Sequence, residues 1–90
     1  MPRSIHQNDY QTLLLLLRDL RHALAHAQVD LGVALGNTQT FVSKIERGER
    51  RIDVVEFVEL CEAMQVEPVA AFKEFVVQRA AGAIPAKKKR

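Results

Sequence analysis

The sequence predicts an all-α domain of five helices. Leucines recur every three or four residues near the start. No stretch alternates apolar and polar residues as a strand would. Glycine, proline and capping signals divide the rest into short helical segments. Ninety residues, 48% hydrophobic and without tryptophan, supply one modest core and one domain. Small helical domains often recover stability by pairing.

Residues Met1–Asn8 are polar and are expected to form a flexible N-terminus, with the folded domain spanning 9–82. Tyr10 to about Ala25 reads as the first helix. Its stripe is Leu13, Leu17, Leu20 and Leu24, with Leu16 beside them. On that wheel Leu14 lies to one side and Leu15 falls among Arg18, Asp19 and His22, so both exceed what one buried face needs. Nothing from Ala25 to Leu35 stops a helix outright, because Gly32 alone costs only about 1 kcal/mol. Gly36-Asn37-Thr38 does stop it, since glycine takes positive φ and Asn37 or Thr38 can cap a new helix.

That new helix runs from about Gln39 to Arg47 and ends at Gly48. Val42 and Ile45, three apart, face inward, while Gln39, Thr40, Ser43 and Lys44 take the other side. Phe41 breaks that division, and packing inward is the favoured reading. Asp53-Val-Val-Glu56 is a capping box opening a fourth helix, whose expected buried face is Val54, Phe57, Val58, Cys61 and Met64. Pro68 suits the first turn of a fifth helix, closed by Gly82 and Pro85. Residues 83–90 read as a disordered basic tail.

The formal net charge of +2 comes from that tail. Setting aside Lys87, Lys88, Lys89 and Arg90 leaves nine of the thirteen bases against eleven acids. Within the body, charge is segregated. Gln39–Arg51 holds Lys44, Arg47, Arg50 and Arg51 against Glu46 and Glu49, whereas Asp53–Glu67 holds five acids and no base. A local basic strip on an otherwise acidic domain suits one polyanion docked in one orientation.

Two short helices joined by a glycine turn and followed by further helices outline a helix-turn-helix, here at about 28–47. At residue level, Arg18–Pro68 resembles the phage-repressor (Cro/cI-type, XRE) helix-turn-helix family. The likeness rests on Gln28, Leu35-Gly36, Ile45-Glu46-Arg47-Gly48 and the run Gln39-Thr-Phe-Val-Ser-Lys-Ile-Glu-Arg-Gly48. The resemblance implies a lambda-repressor-like DNA-binding domain with the third helix in the major groove. Gln39, Thr40, Ser43 and Lys44 would then face bases. Glutamine can pair twice with adenine, and threonine offers a hydroxyl and a methyl to thymine. Gln28, with Asn37 and Thr38 in the turn and Arg47, Arg50 and Arg51 in the following loop, would meet phosphates. Arg21 and Glu46 match a structural ion pair that fixes the third helix.

The chain departs from the family pattern at Ala27, where a hydroxyl cap is usual, and at Gly32, where alanine is usual. Val29, Val33 and Ala34 are apolar for an exposed second helix. Gln65 stands where a glycine often closes the fourth helix, so a left-handed backbone there would be strained.

No catalytic or metal constellation stands out. His22 and His26 are four apart without the glutamate of a zinc-protease motif and read as surface residues, and Cys61 sits in an apolar stripe and reads as core. Neither an enzyme nor a cofactor is expected. One cysteine excludes an internal disulfide, and no signal peptide is evident, so a cytoplasmic location is expected. The longest strictly apolar run, Leu13–Leu17, is far below the roughly 20 residues of a membrane span.

The expected function is sequence-specific binding of double-stranded DNA by a small bacterial or phage transcriptional regulator. Two copies would place their recognition helices about 34 Å apart. The expected dimer surface is the fifth helix, through Val69, Phe72, Phe75 and Val76, with Val77, Ala80, Leu14 and Leu15 adding to it. Alternatives are an antitoxin with a protein partner, a restriction-system controller, and a protein-interaction module that uses the scaffold without DNA.

Overall fold

A computed structural model describes residues 3–24 and 26–82. Its elements are α1 (Arg3–Ala23), α2 (Gln28–Ala34), α3 (Gln39–Glu46), α4 (Val54–Ala63) and α5 (Pro68–Ala81), with no strand among the described residues. None of these helices is long and apolar enough to cross a membrane.

The first helix differs from expectation at both ends. It begins at Arg3, so residues expected to be loose carry its opening turns. Its end at Ala23 has no breaker in the sequence. Arg21 spans the break: its carbonyl accepts from His26 N at 3.0 Å, and its guanidinium donates to the His26 carbonyl at 2.9 Å. These bonds close the chain on itself and free Gln28 to begin α2.

The buried face of α1 is also rotated. Leu14, Leu16 and Leu17 are buried, Leu13 and Leu20 are half-buried, and Leu24 is exposed. The helix packs against both α3 and α5, so it buries two flanks rather than one stripe. Leu24 lies past the helix end. On α1, Thr12 donates its hydroxyl to the Asn8 carbonyl at 3.0 Å, and Asp9 pairs with Arg79 of α5 at 3.0 Å.

Helix α2 has no side-chain cap at Ala27, as expected, but the Asp30 carboxylate accepts from Ala27 N at 3.3 Å. Glycine at position 32 has a firm physical reason. A Cβ there would stand 2.7 Å from the Thr38 carbonyl carbon and 2.8 Å from its oxygen, so α2 meets the start of α3 backbone to backbone. Gly36 turns the chain with φ of 69°, and the Thr38 hydroxyl caps α3 by accepting from Phe41 N at 3.1 Å.

The reciprocal box at α4 is present: Asp53 accepts from Glu56 N at 2.8 Å, and Glu56 accepts from Asp53 N at 3.0 Å. Phe57, Leu60, Cys61 and Met64 are buried there. Val54, expected inside, is 78% exposed because it occupies the first turn at the edge of the core. Gln65 takes the strained left-handed conformation, φ 62°. Glu67 caps α5 by accepting from Ala70 N at 2.9 Å, and Ala71 is that helix's fully buried residue.

The core joins Leu14 and Leu17 of α1, Leu31 of α2, Val42 and Ile45 of α3, and the buried face of α4. Together these hold α3 by one side only.

Candidate nucleic-acid interface

Helix α3 has only eight residues, so its apolar side is narrow. Val42 and Ile45 are 1% and 2% exposed. That burial turns Gln39, Thr40 and Lys44 into solvent together, while Ser43 is half-buried. Phe41 is half-buried and packs against the core.

A continuous set of polar contacts runs behind this face. Arg21 of α1 donates from Nε to Glu46 Oε2 at 2.6 Å and from Nη2 to Glu46 Oε1 at 3.0 Å. Gln28 at the start of α2 donates to the same Glu46 Oε1 at 2.9 Å. Gln39 at the start of α3 then donates to Gln28 Oε1 at 3.4 Å, a long and weak contact. Three helices are thereby linked through one carboxylate. Burial by itself raises the Glu46 pKa, but hydrogen bonds from Arg21 and Gln28 and the Arg21 charge outweigh it and hold the pKa below the ordinary value.

The loop after α3 carries the remaining cations. Arg47 donates to the Ser43 hydroxyl and forms a two-pronged pair with Glu49, both bonds at 3.0 Å. That pair raises the Arg47 pKa and lowers the Glu49 pKa. Arg50 pairs with Glu56, whose pKa is lowered chiefly by that hydrogen bond, and its guanidinium lies 4.7 Å from the Phe41 ring centroid. Arg51 lies 4.1 Å from the ring centroid of Tyr10, and the Tyr10 hydroxyl accepts from Ile52 N at 3.0 Å. Asn37 and Thr38 sit exposed in the turn, where the Asn37 side chain accepts from Thr38 N at 2.9 Å.

Sequence reasoning missed the supports of these cations. Glu49, Glu56 and Tyr10 gave no signal as partners, although the box at Asp53–Glu56 had marked Glu56 as a cap. His22 is exposed and lies 3.1 Å from the Arg21 guanidinium. No cluster of potential metal ligands occurs among the described residues.

The α5 face expected to pair copies is apolar and open. Val69, Phe72, Val76 and Val77 are exposed, and Phe75 is half-buried. Leu14 cannot add to it, being buried in the core, whereas Leu15 is 37% exposed. Beside this face, residues including Leu13, Val54, Phe57 and Phe72 line an apolar groove of about 370 Å³.

Comparison with known proteins agrees with this arrangement. A family model described as a helix-turn-helix domain matches residues 13–72. Among solved structures, an XRE-family like protein from Pseudomonas syringae pv. tomato str. DC3000 is 40% identical, with a TM-score of 0.79. The match covers 83% of this chain and 92% of that one. No curated protein matches. The chain belongs to the XRE-type helix-turn-helix family of DNA-binding regulators.

Proposed function

We propose that this chain is a sequence-specific transcriptional regulator that binds an operator as a homodimer. The observation that carries this reading is the joint exposure of Gln39, Thr40 and Lys44 on α3, backed by Gln28 and Glu46. Gln39, Thr40, Ser43 and Lys44 contact bases. Gln28, Asn37, Thr38, Arg47 and Arg51 meet the phosphates on either side, with Arg47 exchanging its exposed Glu49 partner for a phosphate.

Pairing of two copies through Val69, Phe72, Phe75 and Val76 is supported by the exposure of that stripe on α5. A large apolar face on a small domain is a common mark of an interface. Two half-sites one helical turn apart then give the specificity that one short helix lacks.

Selection from a randomised duplex pool tests the reading. A defined, two-fold-related site is expected, and binding should weaken steeply as salt rises. Gln39→Ala should cost about 1–3 kcal/mol on that site and little on random sequence. Equal loss on every sequence would contradict the assigned role. Sedimentation that shows a monomer at high concentration would remove the dimer and shift the α5 face towards a different protein partner, as in an antitoxin.

A further inference from the structure

The loop position of Arg50 suits a phosphate contact, yet its guanidinium is occupied inside the protein. Nη1 donates to Glu56 Oε1 at 3.1 Å and Nη2 to Glu56 Oε2 at 2.7 Å. Nη1 also reaches the Arg51 carbonyl at 2.9 Å. The central carbon of the group lies over the ring of Phe41, which belongs to α3, while Glu56 belongs to the first turn of α4. Its neighbours differ. Arg47 is 53% exposed and pairs only within its own helix end and loop, and Arg51 rests on Tyr10 of α1. Arg50 alone of these three bridges α3 to α4.

We infer that Arg50 is a positioning residue: gripping Glu56 and covering Phe41, it sets the angle at which α3 is presented, and it does not touch the phosphate backbone. This rests on the reading that α3 enters DNA. Turning the fork outward would give up two charge-assisted hydrogen bonds and an aromatic contact. It would also leave the Glu56 carboxylate uncompensated beside a polyanion. Lysine cannot replace the arginine, because a point charge cannot hold both carboxylate oxygens in a fixed fork while staying over the ring.

Two variants of the full chain separate this role from phosphate binding. Arg50→Lys keeps the charge and loses the fork. Glu56→Gln weakens the grip on Arg50 but preserves the capping box, since glutamine serves there as well as glutamate. Fluorescence anisotropy would follow two labelled duplexes, one from the randomised selection and one of scrambled sequence, across a salt series. Positioning predicts that each variant lowers the ratio of selected-site to scrambled-site affinity by about tenfold, with the salt slope unchanged. The double variant should be little worse than either single one. A variant that merely unfolds would lose both duplexes together, and urea unfolding of each variant without DNA identifies that case.

The inference is overturned if Arg50→Lys binds both duplexes normally, or if Glu56→Gln leaves the ratio intact. It is equally overturned if Arg50→Gln weakens both duplexes alike and reduces the salt slope by about one, the signature of a lost phosphate contact. Should the unaltered chain bind no duplex, the DNA reading fails and this role falls with it. An Arg50–Glu56 coupling in the unfolding data would then show that the bridge itself is real.

Discussion

Arg21 and Glu46, 25 positions apart, form a two-pronged ion pair whose side chains are 8% and 9% exposed. Breaking it leaves a desolvated charge facing no opposite charge. Glu46→Ala should therefore destabilise the domain by about 3 kcal/mol. Because the two groups act as a unit, the Arg21→Ala, Glu46→Ala double variant should be little worse than either single one. Urea unfolding across the cycle measures this, and strictly additive losses would mean the pair contributes nothing as a pair.

The same carboxylate makes stability depend on acid. Its pKa is held below the ordinary value in the folded chain, so its stabilisation is complete above the unfolded value of about 4.3. The contribution is lost as pH falls through the lower folded value. The stability gap between the natural chain and Glu46→Gln should thus be wide at neutral pH and shrink in strong acid. A gap that does not change with pH would show that the charge is not what matters.

Gly32→Ala tests the close approach of α2 and α3. Alanine favours a helix over glycine by about 1 kcal/mol. Against that, the added carbon would press on the Thr38 backbone at 2.7 Å, and a backbone cannot swing aside as a side chain can. Overpacking of this kind costs about 1–3 kcal/mol, so a net loss of stability is expected, together with weaker DNA binding as the turn opens. A raised unfolding midpoint would show that the turn relaxes freely.

Gln65→Gly should act in the opposite direction. A side chain in the left-handed region costs about 1–2 kcal/mol, which exceeds the extra chain entropy that glycine loses on folding. A gain of roughly 0.5–1 kcal/mol is expected in urea unfolding, with DNA affinity unchanged, because the position lies at the end of α4.

Cys61 is completely buried, and burial pushes its pKa up to about 11. In the folded protein it should resist a thiol reagent at pH 8 and react only as fast as the chain opens. Rapid labelling without denaturant would place the residue near the surface.

Much of α3 was legible because a short helix with two apolar residues three apart has only one way to face a core. Val42 and Ile45 therefore fixed where Gln39, Thr40 and Lys44 point. The beginning of α1 was not legible, since Arg3–Asp9 carries no apolar period. Its end was hidden for another reason: no glycine or proline marks it, and the bond from the Arg21 guanidinium to the His26 carbonyl across it carries no sequence signal. Leu14 was misplaced because α1 buries two flanks, and Val54 because a residue in a helix's first turn can overhang the core. Partners of the loop arginines were invisible for a similar reason. Charge counts reveal a basic strip but not which carboxylate or ring each cation has already met.

A carboxylate has lone pairs and no proton to give at neutral pH. Facing Glu46, the Gln28 amide must therefore give one N–H to the carboxylate, which leaves its second N–H and its oxygen pointing outward. The outward oxygen in turn attracts the NH2 end of Gln39. The Gln28 amide, almost symmetric in shape, is thus given a direction by the charge it touches, and Gln39 is biased by the same charge through Gln28. Whatever approaches the tip of Gln39 meets an amide that this weak contact tilts towards keeping its donor beside Gln28 and its acceptor on the far side.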